Sequence, residues 1–221
     1  MPHEAHAEPE PARLSRTAWV VLGFTLAYMG VALVASLRGG SGEFLMYLVI
    51  MAVLLAVVAL VHLRVGLHDA VLWGLSLWGL AHMAGGLMPV PEGWPLGGES
   101  PVLYNLWLVP ERLKYDQLVH AYGFGLVTWI CWQGMQRACG DRGVTIRPTV
   151  GLLTLCVAAG SGFGAANEVV EFAATRLLSE TNVGGYVNTG WDLVANLIGC
   201  LIAAALIYGL SRRSAVGRVA R

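Results

Sequence analysis

The chain predicts an all-α polytopic membrane bundle of about six transmembrane helices, and three observations predict it. Its 221 residues are 56% hydrophobic and only 13% charged, where an ordinary soluble domain carries about 25% charged residues. Six apolar runs follow one another, each near the ~20 residues that a helix needs to cross ~30 Å of hydrocarbon. Lys and Arg are spread unevenly over the segments between those runs, as they are in membrane proteins of fixed orientation.

Residues 1–16 are polar and rich in Pro, Ala and Glu, a composition that cannot bury a core. They predict a disordered tail in which His3 and His6 are solvated. The apolar runs are Ala18 to Leu37, Phe44 to Leu63, Asp69 to Met88, Gln117 to Met135, Thr149 to Glu171 and Trp191 to Leu210. The first is too long for a signal peptide and lacks a small-residue cleavage site, so it reads as a retained anchor. Residues 17–211 form one transmembrane domain, and residues 212–221 form a basic tail.

Arg13, Arg16, Arg64, Arg137, Arg142, Arg147 and four C-terminal arginines fall on one side, ten in all. Arg38, Arg112, Lys114 and Arg176 make four on the other. This bias places both termini in the cytoplasm and the first, third and fifth connections outside. The third connection, Pro89 to Tyr115, is long, with Pro89, Pro91, Pro95, Pro101 and Pro110 beside Trp94, Tyr104 and Trp107. It reads either as a lid or binding segment or as aromatics seated in the headgroup belt. The fifth connection, near Ser179 to Gly190, reads as a turn, with Asn182, Gly184, Gly185 and Asn188.

The formal net charge is zero, so no global field draws nucleic acid, and membrane lipids are the expected partners. Cys131, Cys139, Cys156 and Cys200 have neither metal-pair nor redox spacing.

Polar residues inside membrane helices are costly and mark functional sites. Asp116 and His120 lie four apart, Glu168 and Glu171 three apart, and Asp192 and Asn196 four apart, so each pair shares a helix face. The alternating helix directions bring these pairs, and His82, to one membrane depth on the outer side. Asp116 and Asp192 have a second reading as helix-start caps, worth ~0.5–2 kcal/mol. Asn167 and Asn196 have one as interhelical hydrogen-bond glue, and His82 as a packing residue beside Gly85 and Gly86. Glu168 and Glu171 repel each other unless a proton, a metal or a cation such as Arg176 or Lys114 lies between them. Gly160 and Gly164, with Gly162 and Ala165 nearby, and Gly123 and Gly125 permit close approach of the fourth and fifth helices.

The segments KYDQLVHAYGFG, NEVVEF and GWDLVANLIGC, with the earlier LWGLAHMAGG, resemble the YjdF-like family of bacterial inner-membrane proteins. More distantly they are similar to VanZ-like membrane proteins, from which Glu171 departs because that pattern usually carries Gln there. The resemblance covers about Asp69 to Ile202. It implies a small multi-helix inner-membrane protein with no established reaction.

Four functions fit this pattern. In the first, His82, Asp116, His120, Glu168, Glu171 and Asp192 hold a divalent metal ion, and Asp116, His120, Glu168 and Glu171 do the chemistry on a lipid or lipid-linked substrate. In the second the same groups relay protons or cations, but the inner halves of the helices offer only Ser76, Thr128 and Thr154. The third is a bis-histidine haem between His82 and His120. The fourth is a structural bundle whose polar cluster only specifies packing.

Overall fold

The computed structural model describes residues 14–39, 42–177 and 184–219. His3 and His6 of the N-terminal tail, and Asn182 of the fifth connection, lie outside them. Among the described residues there are six α-helices: α1 Arg16–Gly39, α2 Gly42–Val65, α3 Asp69–Leu87, α4 Tyr115–Gly140, α5 Val150–Leu177 and α6 Tyr186–Val219. All except α4 are long and apolar enough to cross a membrane by length and composition. Asp116, Gln117, His120 and Gln133 lower the apolar character of α4, and all four sit on a helix that other helices enclose. It packs most heavily on α6, then on α5 and α3, while α3 packs also on α1, and α1 on α2. The fourth apolar run is therefore the centre of the bundle. The lipid-exposed rows lie elsewhere, for example Val49, Val53 and Leu60 on α2 and Leu197 and Leu201 on α6.

Two of these helices differ from the expected runs in ways that matter for the site. α5 continues to Leu177, so Glu168 and Glu171 stand inside it rather than at its end. α6 begins at Tyr186, so Asp192 is already helical by nearly two turns. Capping of a helix start therefore does not account for Asp192. At the start of α4 the capping bond comes from Gln117, whose Oε1 accepts Lys114 N at 3.0 Å, which leaves Asp116 free to face inward.

Glycines set the spacing of the central helices. A Cβ on Gly125 of α4 would lie 3.0 Å from Gly199 O of α6, and a Cβ on Gly199 would collide with Ala121 O. Backbones meet here with no side chain between them. Gly160 makes room for Thr128 and Cys200, and Gly164 for Asn196, whereas Gly162 faces open space and takes no part in the step. Gly123 receives the Trp78 indole of α3.

The third connection has structure of its own. Bridges join Pro89 to Val102 and Leu96 to Leu106. A 3₁₀ turn follows at Leu103–Asn105, then an antiparallel ribbon of β1 (Trp107–Val109) with β2 (Leu113–Lys114). The ribbon turns through Glu111 at φ 57°. Gly97 N reaches Asn105 O at 2.7 Å and Leu103 N reaches Met88 O at 3.0 Å. The segment is thus a folded cap that holds Tyr104 against α3, where only Gly85, lacking Cβ, accommodates its ring.

Candidate metal centre

His120 is the hub. It is 2% exposed and meets three helices' worth of polar groups. Asn196 Oδ1 of α6 lies 3.1 Å from Nδ1. That oxygen can only accept, so Nδ1 carries a hydrogen, and in the neutral ring Nε2 keeps its lone pair. On the Nε2 side stand Asp116 Oδ1, one turn earlier on α4, at 3.6 Å, and Glu171 Oε1 of α5 at 3.8 Å. Glu168 Oε1 lies 3.6 Å from Nδ1. Asp192, fully buried, joins Asp116 and His120 in a three-residue group whose candidate ligand atoms all lie within 4.8 Å of one another. His120, Glu168 and Glu171 form a second such group. Both share the one imidazole.

The carboxylates are positioned from within their own helices. Asn167 Nδ2 donates to Glu171 Oε1 at 2.7 Å, and Asn188 Nδ2 donates to Asp192 Oδ2 at 2.5 Å. Lys114 Nζ donates to Asn188 Oδ1, linking the start of α4 to the first turn of α6. The same ammonium sits 5.8 Å from the centre of the Trp107 ring.

Several atoms have no partner. Both oxygens of Glu168, Oδ1 of Asp192 and Nδ2 of Asn196 are buried without a hydrogen bond. Such orphaned groups are expensive in a low-dielectric interior. Were all four carboxylates ionised, a neutral imidazole and one ammonium would leave three negative charges uncompensated. Among the described residues neither Lys114 nor Arg176 reaches the Glu168–Glu171 pair in an ion pair; Lys114 turns to Asn188 instead. The donor set, rich in hard oxygen with one nitrogen, suits a divalent ion such as Mn²⁺ or Fe²⁺.

Five of the six expected metal-ligand residues therefore come together, and His82 does not join either group. Its Nδ1 is hydrogen-bonded to the Tyr104 hydroxyl. Its ring packs against Trp78 at 5.5 Å and Tyr104 at 5.7 Å between centroids. The physical reason is the register of α3, which turns His82 toward the cap rather than toward α5.

Sequence reasoning missed Asn188 and Tyr104. Asn188, Asp192 and Asn196 are spaced four apart, which is legible once α6 is known to start at Tyr186. Tyr104 carries no local signal, because its partner is set by the folding of the cap.

Helices that long, with apolar residues outward and a charged cluster sealed inside, define a polytopic membrane protein. The chain belongs to the family described as predicted membrane protein (DUF2238), whose model matches residues 17–213. Neither a curated protein nor a solved structure matches it.

Proposed function

We propose that the protein is a metal-dependent enzyme of the bacterial inner membrane, acting near the outer leaflet on a lipid or lipid-linked substrate. One observation carries this reading: a buried imidazole ringed by four carboxylates, with neither Glu168 oxygen hydrogen-bonded. Asp116, His120, Glu171 and Asp192 would hold the ion, with Glu168 completing the ring or acting as a base toward substrate or water. When bound, a divalent ion polarises a substrate oxygen or activates a water. Asn196 orients the imidazole, Asn167 and Asn188 orient Glu171 and Asp192, and the enclosing helices keep bulk water out. Side chains of Asp116 and Glu171 remain 17% and 21% exposed, against 6% for Glu168, so the approach to the ion lies on their side. The kinship to YjdF-like proteins belongs to the same proposal, as does the orientation with both termini in the cytoplasm.

The relay alternative needs a polar track leading away from the cluster. The Thr128 hydroxyl is spent on Phe124 O, and those of Thr25 and Ser76 are shared with each other at 2.6 Å. This supports the enzyme reading over transport. Elemental analysis of the purified protein tests it, with His120→Ala and Glu168→Gln beside the wild type. Near-stoichiometric Mn, Fe or Zn in the wild type, lost in His120→Ala, supports the proposal. No bound metal after growth with added metal, and no difference among the three proteins, removes it.

A further inference from the structure

A single ion at His120 Nε2 leaves part of the cluster unsatisfied. Asp116 Oδ1 and Glu171 Oε1 lie 3.6 Å and 3.8 Å from that nitrogen, which keeps its lone pair in the neutral ring. Glu168 approaches the other nitrogen. Its Oε1 lies 3.6 Å from Nδ1, which presents a hydrogen to Asn196 and has no lone pair for a metal. Asp192 belongs to one three-residue group and Glu168 to the other, and neither group contains both. Two oxygens held by one small divalent ion lie at most about 4.4 Å apart, twice a bond of about 2.2 Å.

The buried atoms without a hydrogen bond divide in the same way. Asp192 is fully buried and has Oδ1 free in the first group; Glu168 is buried and has both oxygens free in the second. A carboxylate so enclosed needs a proton or a cation beside it. Among the described residues the one cationic side chain within ion-pair distance of Glu168 is His120 itself. Glu168 and Glu171 stand three apart on α5, so their carboxylates share a face. Glu171 brings Oε2 to that face besides the Oε1 that Asn167 holds. Asn196 Nδ2, also without a partner, lies against Gly164, one turn before Glu168 on α5. An amide donor there does not suit a bare cation, but it suits a water or hydroxide that a cation carries.

We infer that the cluster holds two divalent ions, the second bound by Glu168 and Glu171 beside the first at His120 Nε2. The inference rests on the metal reading of the cluster and adds a site to it. Asp116, Asp192 and His120 hold the first ion. Glu168 takes the second through its two free oxygens, Glu171 bridges the pair, and Asn196 Nδ2 donates to a water or hydroxide ligand. Paired ions in such centres stand about 3.5–4 Å apart. The second ion has only oxygen ligands, and water fills the positions that two carboxylates leave open. A shell of that kind suits Mn²⁺ or Mg²⁺ and binds more weakly than one containing the imidazole.

The test is titration of the full-length, metal-free protein in detergent with Mn²⁺, read by calorimetry and by electron paramagnetic resonance. The wild type should bind two Mn²⁺ per chain in two steps, the second about tenfold or more weaker, and the filled protein should give the spectrum of an exchange-coupled pair. Glu168→Gln should bind one, with the spectrum of an isolated ion. Glu168→Asp keeps the charge but draws the oxygens back by one methylene, and should weaken the second step several-fold; it serves alone if Glu168→Gln does not fold. Glu92→Gln, a carboxylate of the cap outside the cluster, should still bind two. One Mn²⁺ in the wild type overturns the second site and leaves the metal reading standing. Two uncoupled ions, both retained by the Glu168 variants, also overturn it, because the second then lies elsewhere. No bound Mn²⁺ in any of the proteins overturns both readings.

Discussion

Asn196 Oδ1 accepts a hydrogen bond from His120 Nδ1 at 3.1 Å, and this contact fixes which nitrogen of the central imidazole faces Asp116 and Glu171. Outer hydrogen bonds of this kind typically change metal affinity by about 10–100-fold. Asn196→Ala is expected to weaken Mn²⁺ or Zn²⁺ binding by a factor in that range, measured by competition with a chelating dye. Unchanged affinity would assign Asn196 to packing alone.

Gly164 lies against the same asparagine, and a Cβ there would sit 2.7 Å from Asn196 Nδ2. Gly164→Ala should therefore destabilise the protein by about 1–3 kcal/mol, the usual cost of overpacking. Gly162→Ala meets open space and should be neutral or slightly stabilising. Thermal unfolding in detergent compares the two, and equal melting temperatures would contradict the packing described for α5 and α6.

Glu168 brings a buried carboxylate with no hydrogen-bond partner for either oxygen. Without metal, Glu168→Gln removes a repelling charge, and the melting temperature of the metal-free protein should rise by about 2–4 °C per kcal/mol relieved. With metal the order reverses, because an ion bound at 100 times its dissociation constant stabilises the wild type by about 2.7 kcal/mol. A chelator should then lower the wild-type melting temperature and leave His120→Ala where it was. A variant order unaffected by metal would remove the ion from the explanation.

Tyr104, in the cap, donates its hydroxyl to the His82 imidazole or accepts from it. Loss of surrounding water, and then the nearby Asp116, push its phenol well above its ordinary value. A raised phenol favours folding fully below pH ~10, and that stability is lost as pH climbs through the folded value. Stability should thus fall above pH ~10, less steeply in Tyr104→Phe than in the wild type. Tyr104→Phe should also cost about 1 kcal/mol at neutral pH. Denaturation at pH 7, 9 and 11 checks both, and parallel pH curves would place the phenol in water.

Most of the bundle was legible because a membrane helix announces itself by length and apolar content, and because residues three or four apart must share a face. Asp116, His120, Glu168, Glu171 and Asp192 could be grouped on those grounds alone. Helix ends were less legible. Tyr186 to Gly190 reads as turn from its Gly and Asn residues, yet it is the first turn of α6, held by Thr189 N to Gly185 O at 3.1 Å. That shift hid Asn188 and made Asp192 look like a cap. His82 was misplaced for another reason: depth along a helix is readable from sequence, but rotation about its axis depends on neighbours such as Trp78 and Tyr104.

The joint between Lys114 and Asn188 bears on how the protein is made. α6 follows α4 and α5 in the chain, and it supplies Asp192 and Asn196 as well as the partner of Lys114. Without α6, the cluster of Asp116, His120, Glu168 and Glu171 lacks both Asp192 and the Asn196 contact that orients the imidazole. The His–carboxylate cluster is therefore complete only once α6 is in place, and loading of the metal proposed for it would follow the synthesis of α6.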